Sequence, residues 1–112
     1  PDAILVDGGD FSMGSLFQTC FATDALELRL MGQMGYDATT LGNHEFDYLP
    51  QGLASMLDKA VISGDRLPQI VNSNYLPPQE GEDGYNAQIS EAFENYGVKE
   101  YTIIERGGVC FR

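Results

Sequence analysis

The sequence predicts an α/β fold: a parallel β-α-β-α-β core followed by a C-terminal β-hairpin. Three observations carry the prediction. Three short apolar runs, residues 3–6, 36–41 and 69–74, have strand length and stop at Gly, Asn or Asp. Between them lie longer stretches whose apolar residues recur at spacings of three and four. Near the end, two β-prone runs flank Gly107-Gly108, a tight-turn pair.

Residues 3–6 read as a continuous apolar strand buried on both faces, as parallel strands commonly are. Asp7-Gly8-Gly9-Asp10 ends it. From Ser15 to Met34 one long helix is expected, with Phe17, Phe21, Ala25, Leu28 and Met31 on its buried face and Gly35 as its stop. The run 36–41 is the next strand, rich in β-branched residues at its end. A strand, a helix and a strand in succession require a crossover, so these two strands run parallel. A second helix starts near Pro50, where the missing N–H is harmless, and continues through Leu53, Met56, Leu57 and Ala60. Residues 69–74 form the third strand. The Pro- and Gly-rich stretch 76–84 reads as an exposed loop. Ile89, Phe93 and Tyr96 allow a short helix, and residues 101–105 and 109–112 pair as the hairpin.

At 112 residues the chain is at most one domain, and its 43% hydrophobic content suits a globular core. Seventeen acids against six bases give a net charge of −11, with no basic cluster. That balance disfavours phosphate-neutralising contact with nucleic acid and attraction to an anionic membrane surface. No apolar run approaches the roughly 18 residues of a spanning helix. No signal-peptide pattern is present. Pro1-Asp2 leads straight into a strand and Arg112 falls within an apparent one, so both ends are expected to be cuts. Cys20 and Cys110 match neither a disulfide framework nor a zinc pattern and read as semi-buried thiols, with the redox compartment left open.

The chemistry concentrates in two strand-end turns, Asp7-Gly8-Gly9-Asp10 and Leu41-Gly42-Asn43-His44-Glu45-Phe46-Asp47. In open α/β sheets, ligands bind beyond the strand carboxyl ends, and two such turns on neighbouring strands suggest one metal-centred site. Asp10 is either a carboxylate brought close to a cation by flanking glycines or a turn-former bonding its own backbone. Asn43 offers a neutral oxygen ligand, or simply fits a turn. His44, the chain's one imidazole, has Asp47 three residues on. Asp47 either orients the ring for proton transfer to a substrate, or the pair is a surface loop contact. Asp7 with Asp10 admits a one-metal acidic pocket, or Asp7 caps a turn. The glycines of Gly9–Ser15 have phosphate-loop spacing, but the Gly-Lys-Ser/Thr ending is missing.

At these residues the sequence resembles the calcineurin-like metallophosphoesterases, specifically their 5′-nucleotidase branch. Gly42-Asn43-His44-Glu45 after an apolar strand matches the superfamily, and Phe46-Asp47 points to the branch. Residues 70–75 resemble the following strand, which ends in Ser/Ala-Asn; by that weaker match Asn74 lies near the site. The resemblance implies an incomplete portion of a four-layer α/β-β/α domain occupying residues 1–112. It implies Asp10 as the carboxylate bridging two divalent ions (Zn, Mn or similar) and Asn43 as ligand to one of them. It further implies His44 as the catalytic histidine and Asp47 as its partner. The implied reaction is in-line attack of water on a nucleotide or other phosphomonoester at a two-metal centre.

The family also uses an Asp-x-His pair upstream and histidines in Gly-His and Gly-His-x-His segments downstream, and neither is present. Ions that take about four to six ligands each are not caged by Asp10 and Asn43 alone. The expectation is therefore a fragment of a secreted, periplasmic or cell-surface enzyme, inactive by itself and self-associating through exposed sheet edges. Alternatives are a 2′,3′-cyclic-nucleotide phosphodiesterase of the same superfamily, or a non-catalytic acidic α/β module binding one Mg²⁺ or a protein partner.

Overall fold

Four chain segments lie side by side in parallel, in the order in which the sequence presents them. The computed structural model describes residues 3–112 and is mixed α/β; the expectations placed on Pro1 and Asp2 lie outside the described residues. Val6 bridges Ala38 in β1 (Ala38–Thr39). β1 pairs with β2 (Gln69–Ile70), with Ala38 opposite Gln69 and Thr39 opposite Ile70. Val71 then bridges Lys99. The predicted β-α-β-α-β succession is thus present, although its regular ladder is far shorter than the apolar runs. It gains a fourth parallel segment at Lys99 that the sequence reading missed. Beyond it, β3 (Ile104–Arg106) and β4 (Val109–Phe111) form the predicted antiparallel hairpin around Gly107-Gly108.

The expected single helix from Ser15 to Met34 is three pieces. A 3₁₀ segment, Leu16–Cys20, runs into α1 (Phe21–Asp24), and α2 (Leu26–Met34) follows a break at Ala25. Ala25 takes φ 49° in the left-handed region, although alanine is the best helix former. Tertiary contacts override the propensity: Arg29 donates to the Asp24 carbonyl at 3.2 Å and pairs with Asp65 at 2.7 Å. Phe21, Ala25, Leu28 and Met31 are buried as expected, but Phe17, assigned to the same face, is 51% exposed. Gly35 ends α2 with φ 92°.

α3 (Leu49–Ser63) has Pro50 in its first turn and buries Leu53, Met56, Leu57 and Ala60. α4 (Ala87–Tyr96) starts at Asn86, whose side chain accepts from the Gln88 and Ile89 amides, and buries Ile89, Ala92 and Phe93. These residues form one core with Phe21, Leu28, Leu41 and Ile70. Strands taken in consecutive order with crossovers of one hand carry every connecting helix to the same face of the sheet.

Among the described residues no helix covers the opposite face, and here the sequence reading is corrected. The first strand is not buried on both faces: Leu5 is 43% and Val6 61% exposed. The hairpin reaches only partly over this side, held by Arg106 hydrogen-bonding the Asp37 carboxylate. Between hairpin and sheet lies a cleft of about 500 Å³ lined by Ile4, Val6, Val71, Tyr101, Ile104 and Phe111. Cys110 sits in the exposed hairpin and is a free, exposed thiol rather than a semi-buried one; Cys20 is free and half-buried.

Candidate active site

The two turns singled out in the sequence meet at one end of the parallel segments. After β1 the chain passes buried Leu41 into Gly42 and a 3₁₀ turn, His44–Phe46. Beside it, the chain leaving Val6 turns through Gly9 at φ 93° and Asp10 at φ 57°. A Cβ on Gly9 would stand 2.8 Å from the Gly42 nitrogen, and one on Gly42 would stand 2.1 Å from Asp10 Oδ1. Glycine at both positions is what lets the turns close on each other.

Three of the four candidate residues are joined directly. The His44 amide donates to Asp10 Oδ1 at 3.0 Å. His44 Nδ1 and Asp47 Oδ2 are 2.9 Å apart, with the His44 side chain 29% exposed. Nδ1 is engaged, so Nε2 is the ring atom left for another partner. The hydrogen bond to Asp47 holds the imidazole above its usual pKa, and the charges of Asp47, Asp10 and Glu45 act in the same sense. Asn43 is the fourth. It is exposed at the start of the 3₁₀ turn, and its backbone carbonyl accepts from the Phe46 amide at 3.1 Å.

Other candidates separate from these. Asp7 Oδ2 accepts from the Gly9 amide at 2.8 Å and from Thr39 Oγ1 at 2.7 Å. Asp7 thus caps the strand end, the turn-capping alternative of the two that the sequence offered. Asn74 is exposed. The asparagine tied into the fold is Asn72, buried between Thr40 Oγ1 at 3.3 Å and the Tyr75 carbonyl at 2.9 Å. The residue that sequence reasoning missed is Glu45, whose carboxylate is fully buried and takes donors from both turns. Its only sequence signal is indirect: tight turns leave backbone donors that need an acceptor.

The residues here that offer oxygen donors to a metal are Asp10, through its carboxylate, and the exposed Asn43, through its side-chain amide. Both suit a hard or borderline cation. Among the described residues no group of three or more His, Cys, Asp or Glu side chains forms a cluster able to hold an ion. These two donor types suit part of a metal site, and a complete one takes further ligands.

Over part of its length the chain is similar to nucleotide phosphoesterases. It is 46% identical over 54 residues to the trifunctional nucleotide phosphoesterase protein YfkN of Bacillus subtilis, covering 48% of this chain and 4% of that protein. More particularly, the similarity extends to 5′-nucleotidases, as the two motifs implied. Identity to the 5′-nucleotidase of Rattus norvegicus is 41% over 88 residues, covering 69% of this chain and 15% of the relative. For the probable 5′-nucleotidase of Treponema pallidum it is 35% over 75 residues, 64% of this chain and 12% of the relative. The chain thus spans only a small part of the length of these relatives. No family model matches the chain, and no solved structure matches it.

Proposed function

We propose that this chain is part of a metal-dependent phosphoesterase acting on nucleotides, of the 5′-nucleotidase type, with a four-layer α/β-β/α domain in the whole protein. The observation that carries this reading is the His44–Asp47 pair standing beside Asp10 and Asn43 on two interlocked turns. Asp10 and Asn43 would hold part of a two-ion centre, with Zn, Mn or a similar metal. When bound, the ions supply an activated water and stabilise charge developing on the phosphoryl group.

The chain's own residues do the rest. Asp47 fixes the ring and tautomer of His44, so that Nε2 can donate to a phosphoryl oxygen or to the departing alkoxide. Asn43 adds no negative charge, which keeps an anionic phosphate welcome in a chain of net charge −11. The isolated chain has too few ligands to be active at a useful rate. Residence in a secreted, periplasmic or cell-surface compartment belongs to the same reading, as do a nucleotide partner and the absence of nucleic-acid and membrane partners. Among the described residues no helix is long and apolar enough to cross a membrane.

The test is phosphate release from a 5′-nucleotide by the full-length protein that carries this chain. His44→Ala is expected to lower turnover by about 10²- to 10⁴-fold with metal content preserved; loss of metal instead refutes the assigned role. Asp10→Ala is expected to abolish binding of both ions, and retention of two rules out bridging. A 2′,3′-cyclic nucleotide assayed in parallel separates the second reading. Metal binding by the isolated chain that survives Asn43→Ala, with no phosphoesterase activity in the whole protein, points to the non-catalytic module. The isolated chain is also expected to self-associate through its uncovered sheet face; a clean monomer in light scattering at micromolar concentration contradicts that.

A further inference from the structure

Glu45 is 0% exposed and carries its carboxylate into the seam between the two turns. Among the described residues no Lys or Arg forms an ion pair with it; all its partners are neutral donors. Oε2 accepts from the Gly42 amide at 2.6 Å and the Asp10 amide at 2.9 Å. Oε1 accepts from the Ser12 amide at 3.0 Å and the Ser12 hydroxyl at 2.9 Å. One carboxylate therefore grips its own turn and the turn before it, and hydrogen bonds to a charged acceptor are the strong kind.

What this grip holds is an unfavourable backbone. Asp10 sits at φ 57°, a conformation that disfavours every residue with a Cβ. Its amide is fixed by Glu45 while its own Oδ1 receives the His44 amide at 3.0 Å. The connections close a ring: Glu45 to Asp10, Asp10 to His44, and His44 back to Glu45 through the peptide bond. We propose that Glu45 is a positioning residue, which sets the Asp10 carboxylate and the His44 ring relative to each other without touching substrate. This rests on the reading of Asp10 as a metal ligand, and the experiment separates the two.

The experiment uses the 112-residue chain, with amide hydrogen exchange by NMR and Mn²⁺ as the paramagnetic probe. Glu45→Gln keeps the shape but places an NH₂ group against N–H donors. The expected result is exchange at least tenfold faster at Asp10, Ser12, Gly42 and His44, with Leu57 and Phe93 unchanged. Apparent Mn²⁺ affinity, read from broadening at Asp10, falls at least tenfold, and Glu45→Asp recovers part of it. Unaltered exchange at Asp10 and His44 overturns the proposal. Faster exchange with unaltered Mn²⁺ affinity also overturns it, leaving Glu45 as a turn-former only. Where the unsubstituted 112-residue chain shows no Mn²⁺ broadening at Asp10, the Mn²⁺ comparison is made on the full-length protein that carries it; absence of Mn²⁺ binding there overturns the metal reading, and with it the positioning role, while the exchange result stands. If Glu45→Gln unfolds the chain, Ser12→Ala removes one donor alone. Faster exchange at Asp10 and His44 with a protected core then supports the grip, and no change at those amides overturns it.

Discussion

The two faces of the sheet are built from similar residues and behave oppositely. On the helical side Leu53, Leu57, Ile70 and Ile89 are at most 1% exposed. On the other, Val6 is 61% exposed, Tyr101 51% and Phe111 48%. Side-chain chemistry does not distinguish them. Connectivity does, because crossovers of one hand between consecutive parallel strands place every helix on one side. An exposed apolar face of this kind is an interaction surface.

The comparison breaks most visibly at the core. Leu57→Ala is expected to cost about 2–5 kcal/mol and Val6→Ala within about 0.5 kcal/mol, both read from urea unfolding midpoints. Equal losses mean the open face is packed in solution. Next in size is Glu27, a second buried carboxylate and the counterpart of Glu45. It is 7% exposed, and neither of its oxygens has a partner among the described residues. Burial pushes its pKa above the usual carboxylate value, and the nearby Glu45 charge adds to this. A folded-state pKa raised above the unfolded one makes stability fall as pH rises from the unfolded value, 4.5, through the folded one. Glu27→Gln removes the buried charge while leaving a polar group in place, and is expected to flatten that window and to add about 1 kcal/mol near neutral pH. A variant less stable than its parent in urea at pH 7 shows that the charge is satisfied in solution.

Smaller effects sharpen the contrast at the hairpin and the site. The Leu5 amide, with help from Arg106 and Arg66, holds the Asp37 carboxyl below its usual value. Its contribution is present at neutral pH and lost as pH falls through the folded pKa, below 3.8. Arg106→Ala is expected to free the hairpin, read as faster amide exchange in β3 and β4 with α3 unchanged. For the metal-free chain, Asp47→Asn is expected to bring the His44 titration midpoint down toward about 6.5, followed by the imidazole proton shifts. No change means the pair does not persist in solution.

Much of this was legible in the residues themselves. The apolar spacing through Leu53, Met56, Leu57 and Ala60, with Pro50 at the start, reads directly as α3. The parallel pairing of the segments near Val6 and Ala38 follows from the helical stretch between them. The His44–Asp47 pair was readable because both residues lie in one short turn. The break at Ala25 was not, since a favourable helix former is overruled there by Arg29 bridging Asp24 and Asp65. Nor was the fourth parallel segment, where Lys99 joins the sheet with no apolar run to mark it.

The sequence by itself determined local things: which stretches coil, where glycines allow turns, and which few polar residues stand at strand ends. These depend on periodicity and backbone sterics within a few residues. The tertiary structure alone decided which face of the sheet stays bare, that the Thr39 hydroxyl donates to Asp7, and that Glu45 joins Asp10 to His44. Those outcomes depend on donors and acceptors more than thirty positions apart, and only chain crossing brings such groups together.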